Sequence, residues 1–161
     1  MFVLAFLAVS IIAVGFPYLI IQFSVGLSYD IWGLKFVGII PLILSVFMGV
    51  CSIRDFVSYG KGTPAPTNPP ERLVAKGIYR IIRNPMYLAV FCFILGEAII
   101  FESYTLIVYF MLVWLLFHLF VVYAEEPDLR KRFGKSYEEY LIEVPRWLPR
   151  FGLVRANHRK A

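Results

Sequence analysis

Residues 72–87 read Arg-Leu-Val-Ala-Lys-Gly-Ile-Tyr-Arg-Ile-Ile-Arg-Asn-Pro-Met-Tyr, which sets four basic side chains among aromatic and apolar ones. A hydrophobic run begins at Tyr87, directly at the end of this stretch. Charges this close to a membrane span are costly unless they face water, lipid headgroups or a ligand. We therefore predict that the stretch, together with Glu125 and Glu126, forms a cofactor site at the membrane surface.

The composition indicates an integral membrane protein. The chain has 161 residues, of which 60% are hydrophobic, whereas soluble domains average about 45–50%. The excess lies in long runs with few charges, and the length suits a single polytopic membrane domain over residues 1–161. The net charge of +5 suits anionic headgroups. Nucleic acid is a poor candidate partner, because the basic residues flank apolar runs and do not form a separate soluble domain.

Four apolar runs predict an all-α fold with about four transmembrane helices, at residues 1–23, 31–53, 87–101 and 104–123. The uncharged first run is longer than the core of a signal peptide and lacks a basic start, so a membrane span is the better interpretation. Arg54 and Asp55 are predicted to end the second run. Residues 60–70 contain four prolines and two glycines, which predicts an extended surface connection into the central stretch.

The C-terminal tail is predicted to form an amphipathic helix on the membrane surface. A residue before proline is disfavoured in helix, so Glu126, which precedes Pro127, is predicted to mark a break after the fourth span. Ser136 and Glu139 have the spacing of a capping box that restarts a helix. A lipid-facing stripe is then expected from side chains about four residues apart: Leu129, Phe133, Tyr137, Tyr140 and Leu141.

The basic residues also predict a topology. The loop of residues 54–86 holds six Lys and Arg, and the tail after Tyr123 holds nine of the chain's 16. By the positive-inside rule both segments are cytoplasmic, which four spans with both termini inside would satisfy. The central stretch, in elements 60–87, and the glutamate pair, in elements 124–150, would then meet on one side of the membrane.

Each candidate residue of the central site has a structural alternative. Pro85 suits the first position of a helix, whose free N–H groups, with Arg83 and Asn84, would favour an anionic or polar ligand. The alternative is that the arginines are juxtamembrane anchors for phospholipid headgroups. Glu125 and Glu126 could pair with those arginines, or could bind hydroxyl or ammonium groups of a ligand.

Other ionisable residues give weaker signals. Glu97 and His118 lie inside apolar runs and could face each other, either as functional groups or as a satisfied structural pair. Cys51 and Cys92 have no metal-binding spacing and are expected to be buried hydrophobes. No metal site is predicted, and no catalytic base is identified.

Four elements in order resemble the isoprenylcysteine carboxyl methyltransferases and the wider group of phospholipid methyltransferase-like enzymes. The first two are Leu73-Val74-x-x-Gly77-x-Tyr79-x-x-x-Arg83-Asn84-Pro85-x-Tyr87 and Glu125-Glu126. The others are Phe133-Gly134-x-x-Tyr137-x-x-Tyr140 and Val144-Pro145, and the similarity covers about residues 60–150.

This resemblance implies a membrane enzyme that uses S-adenosylmethionine to methylate a lipid-like or prenylated acceptor. The cofactor-binding residues implied by position are Glu71, Arg72, Leu73, Val74, Tyr79, Asn84, Pro85, Met86, Tyr87 and Glu125. Two positions depart from the isoprenylcysteine enzymes, which usually have histidine where this chain has Asn84, and a substrate-binding arginine where it has Val121. The cofactor half of the site is therefore better supported than the acceptor half.

Two other functions remain open from the sequence. One is a membrane reductase of related architecture that uses NADPH, as some sterol reductases do. The other is a non-catalytic membrane protein whose basic loop binds anionic lipid. The identity of the cofactor would separate the methyltransferase from both.

Overall fold

The computed structural model describes residues 9–23, 28–29, 33–60 and 73–149, and most of them are helical. The helices are α1 (Ile11–Phe23), α2 (Ile39–Gly60), α3 (Pro85–Ile100), α4 (Tyr104–Phe133) and α5 (Lys135–Glu143). A short helical turn, Leu34–Val37, precedes α2, and a 3-10 turn, Gly77–Arg80, lies between α2 and α3. The described residues contain no β-strand, which confirms the all-α class, although Ser28 and Ser103 form an isolated bridge.

Two helices are long and apolar enough to cross a membrane: Lys35–Gly60, with 26 residues, and Tyr104–Phe133, with 30. The helices Ile11–Phe23 and Pro85–Ile100 are apolar but shorter. Large apolar side chains such as Phe47 and Leu116 are more than half exposed, as a surface that faces lipid requires. The prediction of four spans stays a prediction. Its residues 1–8, 31 and 32, and the connection 61–70, lie outside the described residues.

α3 is the central helix and packs against α2 on one side and α4 on the other. Gly38, the residue before α2, approaches Gly96 of α3 closely: a Cβ atom on Gly38 would lie 2.9 Å from the carbonyl oxygen of Gly96 and 2.7 Å from Cγ1 of Ile100. Small residues at such crossings let helix backbones come together, which is how helices associate where lipid removes the hydrophobic drive.

Proline does not break α1 or α4, because in each helix a π turn lies just before the proline. Ile11–Gly15 and Val121–Glu125 are π-helical, and the helix then continues through Phe16-Pro17 and Glu126-Pro127. A proline ring collides with the carbonyl four residues back, and the wider π register relieves that collision. The prediction of a break at Glu126 is therefore wrong, and α4 runs on to Phe133.

The second span also ends later than predicted. Arg54 and Asp55 were expected to end it, but α2 continues to Gly60. Asp55 is only 2% exposed and accepts hydrogen bonds from the Ile78 N–H group, at 2.8 Å, and from the Arg54 side chain. Because its carboxylate is satisfied inside the protein, the charge does not need to leave the helix.

The tail differs from the prediction in two ways. Ser136 lies inside α5 and donates to the Phe133 carbonyl, and α5 has no side-chain cap, so the predicted capping box is absent from it. The apolar stripe does not face lipid: Tyr137 and Tyr140 are buried in a cluster with Leu73 and Val144. The stripe packs on the chain itself because the stretch before α3 supplies the apolar partners.

We expect Gly38→Ala to lower the free energy of unfolding by about 1–3 kcal/mol, the usual cost of an overpacked contact. The added Cβ would collide with backbone atoms of Gly96 and Ile100, which cannot turn aside as a side chain can. The start of α2 and the end of α3 would therefore have to move apart. Gly49→Ala is the control, because its Cβ would meet nothing closer than 4.0 Å. Thermal unfolding of detergent-purified variants measures both, and equal stability for the two would contradict the close crossing.

Candidate functional site

Glu125 and Tyr87 meet at the end of the helical bundle where α3 begins. Glu125 ends the π turn of α4, and its Oε2 accepts a hydrogen bond of 2.9 Å from the Tyr87 hydroxyl. The Tyr87 ring packs on Phe117, with ring centroids 5.0 Å apart. A neutral hydroxyl therefore orients this carboxylate, and the predicted site residues Tyr87 and Glu125 are in direct contact.

Glu126 takes the positive charges instead. Its carboxylate is paired with Arg83 at 3.0 Å and with Arg146 at 2.7 and 3.0 Å. The glutamate side chain is 8% exposed and that of Arg83 is 11% exposed. The structural alternative foreseen for the glutamate pair thus applies to Glu126 and not to Glu125. The pair also raises the pKa of Arg146, through its hydrogen bond to Glu126.

The 3-10 turn that carries Tyr79 is held from two sides. Asp55 accepts from the Ile78 N–H group, and Tyr140 donates its hydroxyl to the Tyr79 carbonyl at 2.6 Å. Gly77, at φ 58°, leaves no room for a side chain: an added Cβ would collide with the Asp55 carboxylate. Only glycine combines this backbone conformation with so close an approach.

Three buried tyrosines, Tyr79, Tyr137 and Tyr140, lie in the 3-10 turn and in α5, and their hydroxyls remain protonated. Burial raises the pKa of Tyr79 and of Tyr140. Burial, with a smaller contribution from Glu126, raises the pKa of Tyr137 to about 12. These hydroxyls can donate hydrogen bonds at any physiological pH, but they are unsuited to act as bases.

The start of α3 is built as predicted, with Pro85 in its first turn. Asn84 does not cap the helix; its Nδ2 donates instead to the Arg146 carbonyl, at 3.4 Å. Met86 is half-buried behind it. The first N–H groups of a helix have no partner within the helix. In α3 the Asn84 side chain does not accept a hydrogen bond from them.

Leu73 and Val74, two further predicted residues, lie in the stretch before the 3-10 turn. Val74 is buried and Leu73 packs against the cluster of Tyr137, Tyr140 and Val144. Glu71 and Arg72 lie outside the described residues. The cofactor role of the whole set stays a prediction.

Glu97 and His118 do not form the pair that was considered. His118 accepts a hydrogen bond at Nδ1 from Trp147 Nε1, at 3.0 Å, and stacks on Trp114. Among the described residues, Glu97 Oε2 is buried without a hydrogen-bond partner. His118 thus belongs to the attachment of the C-terminal segment.

Sequence reasoning missed Asp55, Arg146 and Trp147. Asp55 was interpreted as a helix end, although a lone carboxylate inside a helix-compatible run could have suggested a buried acceptor. Arg146 and Trp147 lie between two prolines, and no local pattern indicates that they fold back onto α4.

The sequence profile of the phospholipid methyltransferase family matches residues 34–136, which include α2, α3, all of α4 and the first two residues of α5. The chain belongs to the phospholipid methyltransferase family. This agrees with the resemblance found in the sequence, and the matched region contains Tyr79, Asn84, Tyr87 and Glu125.

Individual relatives of this family member are methyltransferases by name. It is 34% identical over 82 residues to the protein-S-isoprenylcysteine O-methyltransferase of Schizosaccharomyces pombe, covering 51% of this chain and 35% of the relative. It is 25% identical over 122 residues to a probable protein-S-isoprenylcysteine O-methyltransferase of Oryza sativa, covering 74% and 63%. For protein-S-isoprenylcysteine O-methyltransferase B of Arabidopsis thaliana the values are 32% over 80 residues, 49% and 40%. The chain thus spans between about a third and two thirds of these relatives.

We expect Glu126→Gln to lower the free energy of unfolding by about 3 kcal/mol, because it leaves the buried Arg83 guanidinium without its counter-charge. Glu138→Gln is the matched control: it breaks an ion pair with Arg130 in which both side chains are more than half exposed, so a change within about 1 kcal/mol is expected. Thermal unfolding in detergent measures both. A Glu126 variant no less stable than the Glu138 variant would show that the buried ion pairs of Glu126 with Arg83 and Arg146 do not stabilise the fold.

Proposed function

We propose that this protein is an integral-membrane methyltransferase that uses S-adenosylmethionine and acts on a lipid-like acceptor. Family membership and the names of the relatives support methyl transfer. The observation that carries the assignment to this site is the division between the two glutamates. The described contacts give Glu126 both guanidinium groups, and they give Glu125 the neutral Tyr87 hydroxyl.

The residues present fit the cofactor. In the described part of the chain, the Glu125 carboxylate accepts one hydrogen bond, from Tyr87. A carboxylate has about four acceptor positions, which suits the hydroxyl and ammonium donors of S-adenosylmethionine. The uncapped start of α3 suits its carboxylate, because helix N-terminal N–H groups attract anions. Tyr79, Tyr87 and the apolar Leu73 and Val74 would enclose its adenosine.

The bound cofactor would supply a methyl group on a positively charged sulfur, which an acceptor nucleophile attacks while the sulfur leaves as a neutral thioether. The protein's own task is then alignment and the exclusion of water, and alignment alone can lower a barrier by about 7–11 kcal/mol. Glu125 would fix the cofactor relative to α4, and the hydroxyls of Tyr87 and Tyr140 would hold the surroundings in place through their hydrogen bonds to Glu125 and to the Tyr79 carbonyl. No side chain needs to remove a proton if the acceptor atom is already a free nucleophile.

The placement of the site suggests how a lipid-like acceptor reaches it. Glu125 follows Phe120 by five residues and Tyr123 by two, and the side chains of both aromatic residues are at least half exposed. We propose that a prenylated or other lipid-like acceptor enters from the bilayer between α3 and α4. We further propose a four-span arrangement with the site and both termini on the cytoplasmic side, which the basic residues of the tail support.

Ligand-dependent unfolding of the purified protein tests this function. S-adenosylmethionine and its demethylated product S-adenosylhomocysteine, each at about 100 times its dissociation constant, should stabilise the protein by about 2.7 kcal/mol. Glu125→Gln should lose most of this shift while still inserting and folding, because only the ligand needs the carboxylate. Glu139→Gln, at an exposed position of α5, should keep the shift.

Two results would contradict the proposal. Stabilisation by NADPH alone would indicate a reductase. A Glu125→Gln variant with undiminished affinity for S-adenosylhomocysteine would remove Glu125 from the site.

A further inference from the structure

The strap, residues Pro145–Trp147, crosses α4 on both sides of its π turn. On the C-terminal side, Arg146 forms two hydrogen bonds with Glu126. On the N-terminal side, Trp147 Nε1 donates to His118 Nδ1 at 3.0 Å. The two attachment points are separated by eight positions on α4, about 12 Å of helix, and the π turn Val121–Glu125 lies between them.

The strap is also fixed at the opposite wall of the site. The Pro145 carbonyl accepts from the Arg83 N–H group at 3.0 Å, and the Arg146 carbonyl accepts from Asn84. The Trp147 ring packs against Phe91 of α3, with centroids 5.5 Å apart. The strap therefore connects the start of α3 to two points on α4, and a movement of either helix end would have to break one of these contacts.

A π turn is rare and occurs mostly as a single-turn bulge inside an α-helix, so it needs surroundings that favour it. In α4 it decides where Glu125 points, because a return to α-helical register would rotate Glu125 relative to the residues before the turn. Tyr87 alone holds the Glu125 carboxylate in the described contacts, and its hydroxyl could follow such a rotation only in part.

We infer that the strap splints the π turn, and that Trp147, through its hydrogen bond to His118, is a positioning residue for Glu125. This rests on the proposed function as far as the ligand is concerned, but the splint itself is a property of the ligand-free protein. Arg146 supplies the ionic half of the splint and Trp147 the neutral half. The neutral half can be removed without exposing a buried charge, so it is the half to test.

Trp147→Phe keeps an aromatic ring against Phe91 and removes the indole N–H. His118→Phe keeps a ring beside Trp114 and removes the acceptor. Amide hydrogen exchange of residues 121–126 in the ligand-free, detergent-solubilised variants reports on the π turn, and the amides of α2 provide an internal reference. We expect exchange at 121–126 to rise about five- to tenfold in each single variant, as the loss of one hydrogen bond implies, with α2 unchanged.

The double variant should exchange no faster than either single variant, because both changes break the same bond. Affinity for S-adenosylhomocysteine should fall severalfold in Trp147→Phe. Unchanged exchange at 121–126, or an equal rise in α2 that signals general destabilisation, would overturn the splint. Faster exchange with undiminished affinity would overturn the positioning role. Wild-type protein without affinity for this compound would refute the proposed function, and the exchange result would still decide the splint.

Discussion

The site depends on the pairing of the buried Glu126 carboxylate with two arginines. Two guanidinium groups from distant parts of the chain, Arg83 and Arg146, converge on it. A buried ion is tolerated only when paired and hydrogen-bonded, so the three segments that carry these charges must stay together. The further contacts between the strap and the start of α3 lie beside this cluster of charges.

The 3-10 turn that carries Tyr79 depends on a second buried carboxylate. Asp55 holds the turn before Tyr79, and Gly77 provides the space for it. Tyr140 of α5 secures the same turn from the other side. The site is thus assembled from elements far apart in sequence, each tied to the next by one satisfied polar group. An apolar bundle gains such specificity from polar contacts because its hydrophobic faces can slide.

The sequence predicted the parts of this protein that local patterns control. Apolar runs identified the helices, and Pro85 identified the start of α3 to within two residues of the predicted span. Three predictions were wrong: that α2 ends at Arg54 and Asp55, that the helix breaks at Glu126, and that Tyr137 faces lipid. For Asp55 a distant backbone donor, and for the stripe distant apolar partners, reversed the local preference. At Pro127 the reversal is local, because a π turn precedes the proline within α4. The strap has no local signal, because its two side chains are positioned by partners on α3 and α4.

The π turn explains how two neighbouring glutamates come to have different tasks. Successive residues of a helix point about 100° apart, so Glu125 and Glu126 could not both face the arginines. If α4 had broken at Glu126, as the following proline suggests, both carboxylates would have been free to turn toward the same cations. Because the helix continues, Glu126 faces Arg83 and Arg146, and Glu125 faces Tyr87. The proline that was expected to end the helix instead follows the π turn, beyond which the carboxylate paired with two arginines is separated from the one that accepts from Tyr87.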